Sequence, residues 1–157
     1  MLKSRKISVT DMQKFSEFIS ARVLVVDDHP TTASTLARAI GQLGLGIEAI
    51  AATSAEQALE KVKDRPVDIL ITDMIMTGMN GLELVEKLQS CPASQPAYII
   101  MITAYDLAGR RAIAQRLNVD EVILKPVHPE RICQLVAAAI DNLNAAVSSN
   151  LPEAKPV

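Results

Sequence analysis

Tryptophan is absent from the chain, and aromatic residues make up only 3% of it. A core must therefore be assembled from Val, Ile, Leu, Ala and Met, which the 49% hydrophobic content can supply. Cysteine occurs twice, at Cys91 and Cys133, without metal-ligand spacing, so a reduced pair in a cytoplasmic protein is expected. There is no excess of charge either: 16 Lys and Arg face 18 Asp and Glu, for a net charge of −2. A nucleic-acid surface needs clustered cations. The one local cluster, Arg110, Arg111 and Arg116, reads as a solvated helix face. No apolar run approaches the roughly 18 residues of a membrane span. Lys3, Arg5 and Lys6 precede no apolar stretch, so no signal peptide is expected. Direct nucleic-acid binding and membrane association are thus not expected.

What the chain does contain, within 157 residues, is alternation. Five short apolar runs appear at Val23–Val26, Ile47–Ala51, Val67–Ile71, Tyr98–Ile102 and Val122–Leu124. They do not alternate with polar residues, as suits strands buried on both faces of a parallel sheet. Helical periodicity fills the gaps, over Thr31–Leu43, Ala55–Lys63, Leu82–Leu88, Leu107–Leu117 and Glu130–Leu143. Ser54 and Gln57 predict a capping box before the second helix, and Pro129 suits the first turn of the fifth. Gly41, Gly44 and Gly46 follow a helix and read as cap and turn residues rather than a phosphate loop. Five strand–helix repeats predict a three-layer α/β domain whose crevice lies beyond the carboxyl ends of the strands.

Polar residues gather at those ends. Strand one runs into Asp27 and Asp28, strand three into Asp73, strand four into Thr103, and strand five into Lys125 and Pro126. In a parallel sheet these ends share one edge. Three neighbouring carboxylates repel one another and call for a cation. An all-oxygen set suits Mg²⁺. Such a site could bind a phosphoryl group, with a carboxylate as nucleophile. Taken singly, each residue has a plainer reading. Asp27 or Asp28 could cap the next helix, Asp73 could be a loop acid, Thr103 a strand residue and Lys125 a solvated end. None of these explains the shared edge. His29 and His128 flank prolines and read as surface residues, not ligands.

The segments Val-Leu-Val-Val-Asp27-Asp28, Asp68-Ile-Leu-Ile-Thr-Asp73, Ile-Met-Ile-Thr103-Ala104 and Ile-Leu-Lys125-Pro126 resemble the receiver domains of two-component response regulators. The resemblance runs from about Arg22 to about Asn144. It implies a flavodoxin-like fold with five parallel strands in the order 2-1-3-4-5. It implies that Asp73 accepts phosphate from a kinase phosphohistidine. Asp27, Asp28, Asp73 and the backbone carbonyl of Ile75 would hold Mg²⁺. Thr103 and Lys125 would contact the phosphoryl group, and the bond before Pro126 would be cis. Ala104, Tyr105 and Val122 fall at positions that modulate the response, and Ile75 and Tyr105 where loss of phosphate is tuned.

The chain departs from the family pattern at three places. Thr77 stands where proline is usual and Asn80 where an acid is usual; both changes should be tolerated. Val122 stands where many members carry an aromatic residue that swings inward, a motion valine cannot perform. Two other functions compete. A Mg²⁺-dependent phosphatase of the haloacid dehalogenase type also uses Asp, Thr and Lys, but needs a second acid two residues after the nucleophile, where Ile75 stands. A phosphorylation-independent interaction module on the same fold is the other.

The expected organisation is an extension over residues 1–20, a receiver over 21–144, and a flexible tail or linker over 145–157. Thr10, Gln13, Met12, Phe15, Phe18 and Ile19 predict an amphipathic helix in the extension. The partners implied are a sensor histidine kinase or phosphotransfer protein, then a downstream target or an output domain beyond residue 157, with a homodimer possible.

Overall fold

The computed structural model describes residues 21–44, 46–104 and 107–150. The helix expected near residues 10–20, and Tyr105, lie outside the described residues. Strands and helices alternate as β1 (Arg22–Val26), α1 (Pro30–Gly41), β2 (Glu48–Ala52), α2 (Ala55–Asp64), β3 (Ile69–Asp73), α3 (Gly81–Gln89), β4 (Tyr98–Thr103), α4 (Leu107–Leu117), β5 (Glu121–Leu124) and α5 (Pro129–Ser149). A short 3₁₀ turn at Pro92–Ser94 precedes β4. The strands form one parallel sheet in the order β2-β1-β3-β4-β5, as the sequence predicts.

The apolar runs lack alternation because both sheet faces are covered. Leu24, Val26, Leu70 and Met101 face α2, α3 and α4, where Ala58, Val62, Leu84, Leu88 and Leu117 meet them. Val23, Val25, Ile69, Ile71, Ile100 and Ile102 face α1 and α5, against Ala33, Leu36, Ile40, Ile132, Val136 and Ile140. Neighbouring residues of one strand thus enter opposite cores.

Several boundaries, and one cap, differ from the sequence pattern. β3 extends through Thr72 and Asp73, because pairing with Val26 and Ile102 carries the ladder past the apolar run. α5 continues through residues 145–149, where the sequence predicts a tail; the Ala145–Ala146 pair favours helix. At α2, Ser54 accepts from the Gln57 N–H at 3.1 Å, but the Gln57 side chain accepts from the N–H of Thr53, not of Ser54. The cap is therefore spread over two residues.

Arg22 is buried at the start of β1. Its guanidinium donates to the carbonyls of Lys61 and Arg65 and so closes the C-terminal end of α2. Glu48 lies 3.4 Å from its Nε and 2.8 Å from Arg65.

Candidate functional site

The ladder carries the polar residues into one line. Val26 pairs with Thr72, so Asp27 follows level with Asp73. Asp73 pairs with Ile102, and the next residue, Thr103, pairs with Leu124 just before Lys125. Thr103 also accepts the Lys125 N–H at 2.8 Å through its backbone carbonyl. Among the described residues the buried polar side chains are Arg22, Asp27, Thr72, Asp73 and Thr103. Three of these meet at this edge, where burial of charge demands a partner.

Lys125 is that partner for Asp73. Its Nζ donates to Asp73 Oδ2 at 2.7 Å. This hydrogen bond raises the lysine above its ordinary value; burial opposes the rise, and the charges of Asp73, Asp27 and Asp28 add to it. One ammonium thus feels all three carboxylates. The other Asp73 oxygen, Oδ1, accepts a long 3.4 Å bond from the Ile75 N–H, and the Ile75 side chain is 58% exposed. The Lys125–Pro126 bond is cis, as the resemblance implies.

Asp28 is held from the other side. Its Oδ2 accepts from the Thr77 N–H at 3.0 Å and from Thr77 Oγ1 at 3.2 Å. The Thr77 N–H is the largest influence on the carboxyl, which lies below its ordinary value; burial opposes, while the Thr77 hydroxyl and His29 help. Neither Asp27 nor Asp28 caps α1. The N-cap is His29, with no side-chain cap, and Pro30 opens the first turn. Asp27 Oδ1 instead accepts from the His29 N–H at 2.8 Å.

The loop after β3 is pinned by Gly81. Its N–H donates to the Met74 carbonyl at 2.9 Å. A Cβ there would collide with the Asp73 carbonyl and press on Met74 Cα. Asn80 and Glu83 form a reciprocal capping box, each bond 2.9 Å, so the amide caps the helix as an acid there would. Ala104 is exposed in a bend beyond Thr103, and Val122 is half-buried against the core that also holds α3 and α4.

The residues present fit a hard divalent cation. Asp27 and Asp28 bring ligand atoms within 4.8 Å of each other, Asp73 lies level with Asp27 on the neighbouring strand, and Asp28 Oδ1 is shut off from solvent without accepting a hydrogen bond. Beside them opens a cleft of about 580 Å³, walled by Thr32, Leu36, Ile102, Pro126 and Val127.

Sequence reasoning places Asp27, Asp28, Asp73, Thr103 and Lys125 on one edge of the sheet, where the strand register also sets them. It misses the Thr77 clamp, the turn of His29 toward the acids, and the tight seat of Gly81. Only Gly81 left a signal: a poor helix former just after an N-cap points to a close approach.

Fold and site together define a doubly wound α/β module with an acid-and-lysine centre at the carboxyl edge of its sheet. Residues 23–137 match the Response regulator receiver domain family, and the chain belongs to it. It is a receiver, the phosphoaccepting module of two-component signalling. It is 31% identical over 134 residues to the sensory transduction protein LytT of Enterococcus faecalis, covering 85% of this chain and 54% of that protein. It is 26% identical over 130 residues to the histidine-protein kinase BarA of Escherichia coli, covering 83% of this chain and 14% of that one. The chain thus spans about half or less of the length of these relatives. In structure it resembles a CheY-like receiver domain from Methanospirillum hungatei, with TM-score 0.70, 23% identity, and coverage of 81% and 98%. It also resembles the chemotaxis regulator CheY4 of Vibrio cholerae, with TM-score 0.68, 22% identity, and coverage of 76% and 98%.

Proposed function

We propose that Asp73 accepts a phosphoryl group from the phosphohistidine of a sensor histidine kinase or phosphotransfer protein. The modified edge then changes how the domain binds a downstream protein or an attached output domain. The observation that carries this is the 2.7 Å Lys125–Asp73 pair set beside Asp27 and Asp28.

Each group has a task in this reading. Lys125 occupies Asp73 Oδ2, which leaves the weakly held Oδ1 as the attacking oxygen. As the new O–P bond forms, the P–N bond of the donor breaks and its imidazole keeps the electron pair. Lys125 is then free to pair with a phosphoryl oxygen. Thr103, buried one step along the edge, offers a hydroxyl to the same group. Asp27, Asp28, Asp73 and the Ile75 carbonyl would hold Mg²⁺, which when bound would supply positive charge against the phosphoryl oxygens. Val122 leaves the change at Thr103 without an aromatic relay at that position. The apolar cleft beside Lys125 suits a helix of the phosphodonor.

The chemistry is confined to the domain's own phosphorylation and its reversal. With Ile75 two residues beyond Asp73, no acid stands there to protonate a leaving alcohol, as a phosphatase of the haloacid dehalogenase type requires. Residues 21–144 are the receiver in this reading and 1–20 an extension that docks on a partner. The proposed place of action is the cytoplasm; no described helix is long and apolar enough to cross a membrane. Acetyl phosphate with Mg²⁺ should add one phosphoryl mass to the wild type and none to Asp73→Asn. An equal adduct in the variant would remove Asp73 from the reaction.

A further inference from the structure

α5 is longer than the sheet beneath it needs. It has 21 residues against 12 in α1, its neighbour on the same face. Both helices open with a proline just past the carboxyl edge. At 1.5 Å per residue, α5 outruns α1 by about 13 Å at the amino edge. Ile132, Val136, Ala139 and Ile140 are buried in the core. Leu143 is half-buried, and residues 144–147 are all exposed. The apolar stripe does not stop where the core does. Leu143 and Val147 follow Ile140 at helical spacing and so continue its buried face. Among the described residues the exposed large apolar side chains are Leu43, Ile75, Leu124 and Val147. Ile75 and Leu124 border the acid-and-lysine edge. Leu43 and Val147 lie at the opposite edge, where Val147 is 46% exposed.

The chain enters the sheet at this same place. Ala21 is buried in the cluster that holds Ile140 and packs against Leu143. Its carbonyl accepts the Glu48 N–H at 3.0 Å. Residues 1–20 precede it, and Phe15 and Phe18 among them are the chain's only phenylalanines. Met12, Phe15 and Ile19 recur there at helical spacing. A helix over residues 10–20 would measure about 16 Å, enough to cover the overhang. Extending β1 backwards, it would run antiparallel to α5 and one layer away, at the roughly 8–10 Å spacing of packed helices. Counted back from Ala21, Ile19 then falls level with Ile140, Phe15 with Leu143, and Met12 with Val147.

We propose that residues 10–20 pack as a helix on the overhanging end of α5 in the same chain, with Phe15 against Leu143 and Met12 against Val147. Covalent attachment selects this occupant. A segment joined at the rim of the stripe is present at an effective concentration on the order of millimolar, whereas a second copy has to arrive from solution. Each element supplies what the other lacks: the stripe needs a cover, and a helix this short is marginal in water without packing. The partner proposed above for the extension then meets a surface shared by the extension and α5. The proposal requires neither metal nor phosphoryl chemistry.

Hydrogen exchange of the full chain at two protein concentrations, with molar mass from light scattering, tests this. In wild type, residues 144–149 should be protected to the same degree at both concentrations. Phe15→Asp should speed their exchange about tenfold or more and leave β1 and β3 unchanged. Phe15→Leu, which keeps an apolar contact, should retain most of the protection. Val147→Asp should speed exchange over residues 12–19 in the same way. Equal exchange of residues 144–149 in wild type and Phe15→Asp would overturn the proposal. So would protection that appears only on concentration together with a dimer mass, which would assign the stripe to a second copy. Should Phe15→Asp unfold the sheet as well, Val147→Asp decides: β1 and β3 stay protected while residues 12–19 lose protection, or the proposal fails.

Discussion

Thr77 donates both its N–H and its hydroxyl to a single oxygen of Asp28, across 49 residues of chain. The contact ties the loop after β3 to the end of β1. A proline here, usual in the family pattern, could donate neither bond. Removing the hydroxyl in Thr77→Val should cost about 1 kcal/mol, since hydrogen bonds to charged groups reach roughly 1.5–3 kcal/mol and this one is partly exposed. Thr77→Pro should cost more. Urea unfolding at neutral pH measures both, and equal stability of all three proteins would show that the clamp contributes nothing.

Gly81→Ala should be disproportionately harmful for so small a change. The added methyl meets the carbonyl of Asp73 and the Cα of Met74, both backbone atoms with nowhere to go. Overpacking of this kind costs about 1–3 kcal/mol. Because the displaced carbonyl belongs to Asp73, the acetyl phosphate reaction should slow as well. A variant that is as stable and as reactive as wild type would show that the helix can slide away from β3.

Arg22→Met should separate stability from chemistry. The guanidinium closes the end of α2 at the amino edge of the sheet, away from Asp73. Its loss removes a donor from the helix-end carbonyls and leaves Glu48 with Arg65 alone, at a cost of about 1–3 kcal/mol. Phosphorylation of the folded fraction should keep its rate. A fall in that rate larger than the fall in folded population would mean that the two edges communicate.

Tyr98 should ionise above the ordinary tyrosine range. Burial raises its pKa first, and the charges of Glu121 and Asp120 add to the effect, against Arg131. The folded protein thus holds this proton more tightly than the unfolded chain does. The resulting stability is intact below about pH 10 and is lost as pH rises beyond it. The chain has two tyrosines, so Tyr105→Phe leaves Tyr98 as the sole phenol. Its absorbance at about 295 nm should titrate later than that of the urea-unfolded variant. Coincident curves would contradict the burial argument.

Ile75 sits beside the acceptor and offers no group to orient water. The phosphorylated state should therefore persist, and Ile75→Asn should shorten it several-fold in a radiolabel or mass-shift time course. Equal lifetimes would mean that access to the acyl phosphate is controlled elsewhere.

The strands, their parallel arrangement and the shared polar edge were legible in the sequence, because each follows from a local pattern. Runs such as Val67–Ile71 suit a strand covered on both faces, and the residue after each run then falls at the crevice. The extent of β3 was less legible, since pairing partners rather than hydrophobicity set its last residue.

What the sequence by itself determined is the chemistry available: three acids, a hydroxyl and a lysine at the ends of alternating strands. What only the tertiary structure decided is which oxygens are used and by whom. Lys125 takes Oδ2 of Asp73 from 52 residues away, Thr77 takes Oδ2 of Asp28 from 49, and Arg22 reaches carbonyls about 40 residues downstream. The His29 ring lies near its acids in sequence, but its direction depends on where the ends of β1 and α1 fix the backbone. Residue identity and period are local properties that a sequence carries outright. The pairing of a particular donor with a particular lone pair is settled only when distant segments are packed to within about 3 Å.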